Sequence, residues 1–235
     1  MNPVNEPIHV FWLDLDLSSD MVDELSLTLS PSETQRVDRY TSALDQRRAT
    51  VRLARRRQLL ADFSGLAPQE VDIVLNSRGK PCFNSSTGAI IEMSSSQSGN
   101  IGLFAVTRQQ AVGVDVESLS EIPESSRFAS WVATTKENKL ISALEPSERS
   151  RAYLRLWTRK EAYLKATGEG VGLGVVHFDV PMSSASSGQS FRPHANGAQW
   201  LLYSIPCPRD DLEAALVTSI SNDTEPQPEI IVSRC

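Results

Sequence analysis

The sequence predicts an α+β fold. Three observations carry this: long charge-rich helical stretches, short apolar runs bounded by turn residues, and no strand–helix–strand alternation of the kind that builds a parallel sheet. With 235 residues the chain can bury one sizeable core, or two modest lobes of about 110 to 120 residues each.

His9 to Leu15 is a short apolar strand, and the polar turn from Asp16 leads into a helix from about Ser19 to Leu29. Pro31 and Ser32 open a second helix, with Ser32 as candidate cap and Gln35 three residues on. Leu44 to Phe63 is a long helix crowded with arginine, stopped by Gly65. Val71 to Leu75 is a strand, Asn76 to Gly79 a turn and Ile90 to Met93 a further strand, after which Ser94 to Ser98 is expected to be a loop. Ile101 to Thr107 and Ala111 to Glu117 are expected to form a hairpin around Arg108, Gln109 and Gln110. Ser118 to Ser126 is polar, contains Pro123, and is the expected boundary between an N-terminal lobe, residues 1–118, and a C-terminal lobe, residues 119–235. Helices are predicted from about Ser126 to Val132, Thr135 to Ala143 and Pro146 to Ala166, and a strand over Val175 to Val180. Ser183 to Gly197 has the composition of an exposed loop, Gln199 to Ile205 and Glu213 to Ser219 are closing strands, and Glu229 to Val232 can pair as another.

Composition removes several classes of function. Hydrophobic content of 40% and charged content of 22% are those of a globular protein, not a disordered one. A net charge of -6 argues against a general nucleic-acid binder. Cys82, Cys207 and Cys235 are odd in number and widely spaced, and His9, His177 and His194 are equally scattered, so neither a disulfide framework, a zinc site nor a catalytic triad is suggested. No apolar run approaches the roughly 20 residues that span a bilayer, and Met1 to Pro7 lacks a signal pattern, which leads to the expectation of a cytoplasmic enzyme with no membrane partner.

Two short stretches carry the chemistry. Gly113-Val114-Asp115-Val116-Glu117 ends an alternating strand, so Asp115 and Glu117 share a face, where two like charges repel and lose hydration unless a cation or donors compensate. Trp157-Thr158-Arg159-Lys160-Glu161-Ala162-Tyr163-Leu164-Lys165 is helical, and Trp157, Glu161 and Lys165 stack on one side. Hard oxygen ligands beside an ammonium suit Mg²⁺ and a phosphate ester. The plainer alternative is a strand closing into a polar loop, and a helix pair worth roughly 0.2 to 0.5 kcal/mol.

Together, and in this order, the two stretches resemble the Sfp-type 4'-phosphopantetheinyl transferases. The resemblance runs from about Ser30 to Val180 and includes Arg47-Arg48, Arg78-Gly79-Lys80-Pro81 and Ser96-Gln97-Ser98-Gly99. It implies two similar lobes related by a pseudo-twofold, each an antiparallel sheet packed on helices, with the nucleotide of coenzyme A on the first lobe. The second lobe would then supply the metal helix and carrier-protein docking. The implied activity moves the 4'-phosphopantetheine arm of coenzyme A onto a serine of an apo acyl or peptidyl carrier protein, with Mg²⁺ as cofactor. The products would be the holo carrier and adenosine 3',5'-bisphosphate. A metal-dependent nucleotide diphosphate hydrolase and a non-catalytic binder of coenzyme A or carrier protein are the alternatives. A chain supplying both lobes is expected to be a monomer.

The resemblance also assigns residues. Asp115, Glu117 and Glu161 would hold the metal, with Glu161 or a metal-bound water accepting the serine proton and Lys165 and Lys160 beside the transferring phosphate. Arg48 would grip the 3'-phosphate, with Arg36 as a second, on a helix whose Arg48, Arg52, Arg55 and Arg56 fall near one face; a solvated basic surface is the alternative. Lys80, Ser96 and Gln97 fall to the nucleotide, Gln97 standing where the family has a histidine; it donates hydrogen bonds but cannot become a cation. Glu137 aligns with another family carboxylate near the metal, or is simply exposed. Trp157 is expected to pack, and Trp131, Leu140 and Ile141 to offer a carrier surface or to belong to the core.

Overall fold

The computed structural model describes residues 6–77, 79–84, 88, 90–108, 110–121, 126–169, 175–183, 187–194, 197–220 and 226–235; Arg78 of the Arg-Gly-Lys-Pro motif lies outside them. The first unit runs β1 (Ile8–Asp14), α1 (Ser19–Ser26), α2 (Pro31–Val37), α3 (Ala43–Ser64), a small hairpin β2 (Ile73–Leu75) and β3 (Pro81–Phe83), then β4 (Ile91–Ser98) and β5 (Ile101–Arg108). The second repeats the plan with β6 (Val112–Ser118), α4 (Ser126–Val132), α5 (Thr135–Ser142), α6 (Pro146–Thr167), β7 (Gln189–Phe191), β8 (Gln199–Ser204) and β9 (Leu212–Ile220), and β10 (Ile230–Arg234) follows. One sheet has the order β10-β1-β5-β4 and the other β6-β9-β8-β7. All pairings in them are antiparallel except β10 with β1. The fold is α+β, as the sequence predicts.

Alternation along the strands builds the layers. In β5, Leu103 and Ala105 face the second sheet while Phe104 and Val106 face α1 and α3; in β9, Leu212, Ala214 and Leu216 face the first sheet while Ala215 and Val217 face α6. The sheets therefore pack against each other, and a 22-residue helix covers each outer face. Each of these helices stops at a glycine in the left-handed region, Gly65 at φ 72° and Gly168 at φ 70°. In β6, Val112, Val114 and Val116 fill the space between the sheets, which turns Gly113, Asp115 and Glu117 the other way, toward α6.

Several local expectations change. The cap of α2 is Ser30, which accepts from Glu33 N at 3.3 Å while Glu33 Oε2 accepts from Ser30 N at 3.0 Å; Pro31 fits the first helical position, so the cap must precede it. The Ile101–Thr107 and Ala111–Glu117 hairpin does not form, because β5 already has β1 and β4 on its two edges and the chain crosses to the other sheet instead. Ser94 to Ser98 is strand, not loop. Ser94, Ser96 and Ser98 are buried, and the turn back into β5 passes through Gly99 at φ 56°. Val175 to Val180 forms bends rather than a strand, although Val175, Phe178 and Val180 still enter the core. Part of the Ser183–Gly197 loop is β7, and residues 184–186 and 195–196 lie outside the described ones. Sheet pairing also places Val112–Ser118 with the second unit and Ile230–Arg234 with the first, so the sheets do not divide at residue 118.

Candidate active site

The site forms where β4 meets β6 beneath α6. The serines of β4 replace ladder hydrogen bonds with side-chain ones: Val114 N donates to Ser94 Oγ at 3.0 Å, and Ser96 Oγ donates to Asp115 Oδ1 at 2.7 Å. Small side chains let the two edges approach, and their hydroxyls satisfy polar groups that a valine would leave unpaired. On the other side of β6, Gly113 lies directly under α6. A Cβ there would stand 2.0 Å from Ala162 O and 2.3 Å from Ala166 N, both helix backbone.

That contact brings the two motifs together. Lys165 Nζ donates to Asp115 Oδ1 at 2.7 Å and to Ser96 Oγ at 2.9 Å, and Trp157 Nε1 donates to Glu117 Oε1 at 3.1 Å. Asp115 is 2% exposed, and burial holds its carboxyl above the ordinary carboxylate range against the pull of Lys165. Glu161 is pushed up to about 7 by burial and then by the Asp115 charge, with Lys165 opposing. Asp115 Oδ2 and Glu161 Oε1 are buried without a hydrogen-bond partner. Two inward-facing carboxylate oxygens without donors are what a cation would relieve. Among the described residues, however, no three His, Cys, Asp or Glu side chains already stand together as a metal cage.

Two adjoining cavities of about 310 and 460 Å³ form the cleft, and Arg52, Ser95, Glu161 and Lys165 line both. The first also takes Arg36, Arg56 and Lys80 against Met93, Phe104 and Leu164; the second takes Ser96, Gln97, Asp115 and Glu117. Arg56 is braced by Glu33 Oε1 at 2.8 Å, and Glu33 also meets Arg57. Burial, and then neighbouring guanidinium charge, push Arg52 and Arg56 below their ordinary values. Buried, mutually repelling cations at a cleft call for an anion. Lys80 Nζ reaches Ala166 O at 3.2 Å and Val112 O and Glu92 Oε2 at 3.4 Å, tying the small hairpin to the end of α6.

Three assignments need correction. Arg48 does not line either cavity: it forms a two-pronged pair with Asp16 at 2.6 and 2.7 Å, because it sits about 6 Å along the helix before Arg52. Arg52 and Arg56 stand at the cleft instead. Lys160 points away from the cleft into the second unit, 0% exposed, where Glu137 Oε2 accepts from it at 2.6 Å and the Val132 and Val175 carbonyls at 2.9 and 2.8 Å. One residue before Glu161, it is turned about 100° around the helix. Glu137 is neither exposed nor at the cleft; it holds Lys160, caps α5 through Thr134 N at 2.9 Å and accepts from Val180 N at 3.0 Å. Ile141 is fully buried, whereas Trp131 and Leu140 are more than half exposed. The sequence reading missed Gly113 as a contact point; its place two residues before Asp115 was the available signal.

A family model described as the 4'-phosphopantetheinyl transferase superfamily matches residues 111–217, which contain both motifs. The chain is 30% identical over 171 residues to 4'-phosphopantetheinyl transferase HetI of Nostoc sp. strain PCC 7120, spanning 72% of this chain and 71% of that protein. It is 30% identical over 179 residues to the putative 4'-phosphopantetheinyl transferase slr0495 of Synechocystis sp. strain PCC 6803, spanning 76% and 72%. The 4'-phosphopantetheinyl transferase Sfp of Bacillus subtilis is 23% identical over 173 residues, 74% of this chain and 75% of its own. Similarity of this extent makes the chain a member of the 4'-phosphopantetheinyl transferase superfamily.

Proposed function

We propose that the protein transfers the 4'-phosphopantetheine arm of coenzyme A to a serine of an apo acyl or peptidyl carrier protein, releasing adenosine 3',5'-bisphosphate. The observation that carries this reading is the single cleft in which Arg36, Arg52, Arg56 and Lys80 adjoin Asp115, Glu161 and Lys165. Guanidinium groups at one end suit the nucleotide phosphates, and the apolar wall of Met93, Phe104 and Leu164 suits a flat or aliphatic group between them. Ser96 and Gln97 border the same nucleotide. Lys165 stands where it can neutralise a phosphate oxygen, and Glu161, or a water held by the metal, would accept the serine proton. Mg²⁺ fits the donors: Asp115 and Glu161 offer orphaned oxygens, and these two carboxylates, with Glu117 lining the same cavity, would hold it. When bound, it supplies positive charge for the leaving diphosphate. The first unit then binds coenzyme A and the second presents the catalytic helix, with the carrier docking over exposed Trp131 and Leu140. A monomer in the cytoplasm suffices, since both units are in one chain and the described helices include none long and apolar enough to cross a membrane.

Intact mass of an apo carrier, incubated with the protein, coenzyme A and Mg²⁺, tests the proposal. Gain of one phosphopantetheine, abolished by chelator, is the expected result. An unchanged carrier with coenzyme A consumed would establish a diphosphate hydrolase, and no change in either a binder.

Arg52→Ala raises the KM for coenzyme A about 10- to 100-fold, the loss expected when a charged hydrogen bond of about 1.5–3 kcal/mol is removed. Arg48→Ala, which opens only a partly exposed pair with Asp16, changes it by less than about fivefold. Steady-state kinetics with varied coenzyme A distinguishes the two.

Glu161 also sets a pH dependence in the metal-free protein. Its folded-state pKa of about 7 is above the ordinary 4.5, so the native state holds the proton more tightly than the unfolded chain. Stability contributed by the protonated form is present below 4.5 and is lost as pH rises through about 7. Thermal melts in chelator should show this decline, and Glu161→Gln should reduce it, leaving the part that comes from Asp115, whose carboxyl burial also raises.

A further inference from the structure

We infer that Trp157 is a positioning residue that orients the Glu117 carboxylate, an inference that rests on the function proposed above. Trp157, Glu161 and Lys165 follow one another at four-residue spacing along α6, and β6 presents Asp115 and Glu117 to that helix. Across the seam each β6 carboxylate meets its own donor: Lys165 Nζ on Asp115 Oδ1 at 2.7 Å, and Trp157 Nε1 on Glu117 Oε1 at 3.1 Å. One donor lies a turn before Glu161 and the other a turn after it.

The two donors differ in kind. An ammonium brings a full positive charge to the carboxylate it fixes, whereas an indole N–H fixes one without adding a charge. The indole is itself held, stacked on Trp131 with centroids 4.8 Å apart and meeting Phe128 edge-on at 6.2 Å. It cannot swing away from Glu117 without undoing that aromatic packing. Packing alone would be served as well by phenylalanine; the N–H aimed at Glu117 is the feature that packing does not require. Donors behind a metal-binding carboxylate set its orientation, and their loss costs metal affinity rather than substrate affinity.

The test is Trp157→Phe, which keeps the ring and deletes the donor, read as the Mg²⁺ concentration giving half-maximal carrier modification. That concentration should rise about 10-fold or more, while the KM for coenzyme A stays within about twofold. In a Glu117→Gln background the same change should add nothing beyond about twofold, because its effect passes through Glu117. An unaltered Mg²⁺ requirement, or an equal loss in both backgrounds, would overturn the inference. A second measurement needs no Trp157 variant: Mg²⁺ alone, titrated into the parent, should change tryptophan emission saturably, and Glu117→Gln should abolish that change. Persistence of the emission change in Glu117→Gln would also overturn it. A parent that modifies no carrier at any Mg²⁺ concentration would instead refute the proposed function.

Discussion

Asp115→Asn is expected to lower the turnover number for carrier modification by on the order of 10³-fold, with the protein still folded. On the proposed function the reaction loses an anion placed to hold the metal and the counter-charge that holds Lys165, and terms of several kcal/mol at a developing charge correspond to about that factor. Asparagine keeps the shape of the side chain and can still accept from Ser96, whose Oγ lies 2.7 Å from Oδ1. The folding balance is nearly neutral. Burial already disfavours the ionised Asp115, so neutralising it relieves desolvation, while the Lys165 side chain, 31% exposed, can rehydrate. A melting temperature within a few degrees of the parent, together with the kinetic loss, therefore separates a disabled site from a damaged fold. Turnover within tenfold of the parent would remove Asp115 from the chemistry.

Gly113→Ala should do the opposite and damage the fold first. The added methyl would meet Ala162 O at 2.0 Å, Ala166 N at 2.3 Å and Ala166 Cα at 2.9 Å, all main-chain atoms of α6, so no side chain can turn aside to make room. Overpacking against yielding neighbours costs about 1–3 kcal/mol; against a helix backbone the cost should exceed about 3 kcal/mol and lower the melting temperature by roughly 6–12 °C. Activity should fall further than stability, because lifting α6 carries Glu161 and Lys165 away from Asp115, and a displacement of about 1 Å can cost about 10²-fold. Gly102→Ala is the comparison: its Cβ would meet only side-chain atoms of Leu13 and Leu15, at 3.2 to 3.4 Å. If both variants melt alike, close approach of α6 to β6 is not what Gly113 provides.

Errors in the sequence reading have a common origin. Ser94 to Ser98 resembles a loop because serine is a weak strand former, yet in a strand whose edge abuts another sheet the hydroxyls satisfy Val114 N and Asp115. Arg48, Arg52 and Arg56 are equivalent by spacing, and only the packing of α3 decides that Arg48 meets Asp16 while the others line the cleft. Lys160 could have been separated from Glu161 and Lys165 by helix geometry alone, since one residue turns the side chain about 100°. Its burial with Glu137 could not: the partner lies 23 residues earlier, on another helix.

What the sequence determined by itself was local: the α+β class, the two long helices and the glycine stop of the first, the shared face of Asp115 and Glu117, and the alignment of Trp157, Glu161 and Lys165. These follow from backbone sterics and side-chain period, which act over a few residues. Only the tertiary structure decided that β6 opens a second sheet, that Gly113 admits α6, and that carboxylates 46 residues apart in the chain, Asp115 and Glu161, come close enough for one to raise the pKa of the other. Close approach between distant segments depends on which faces are buried together, and that is settled by packing over the whole chain.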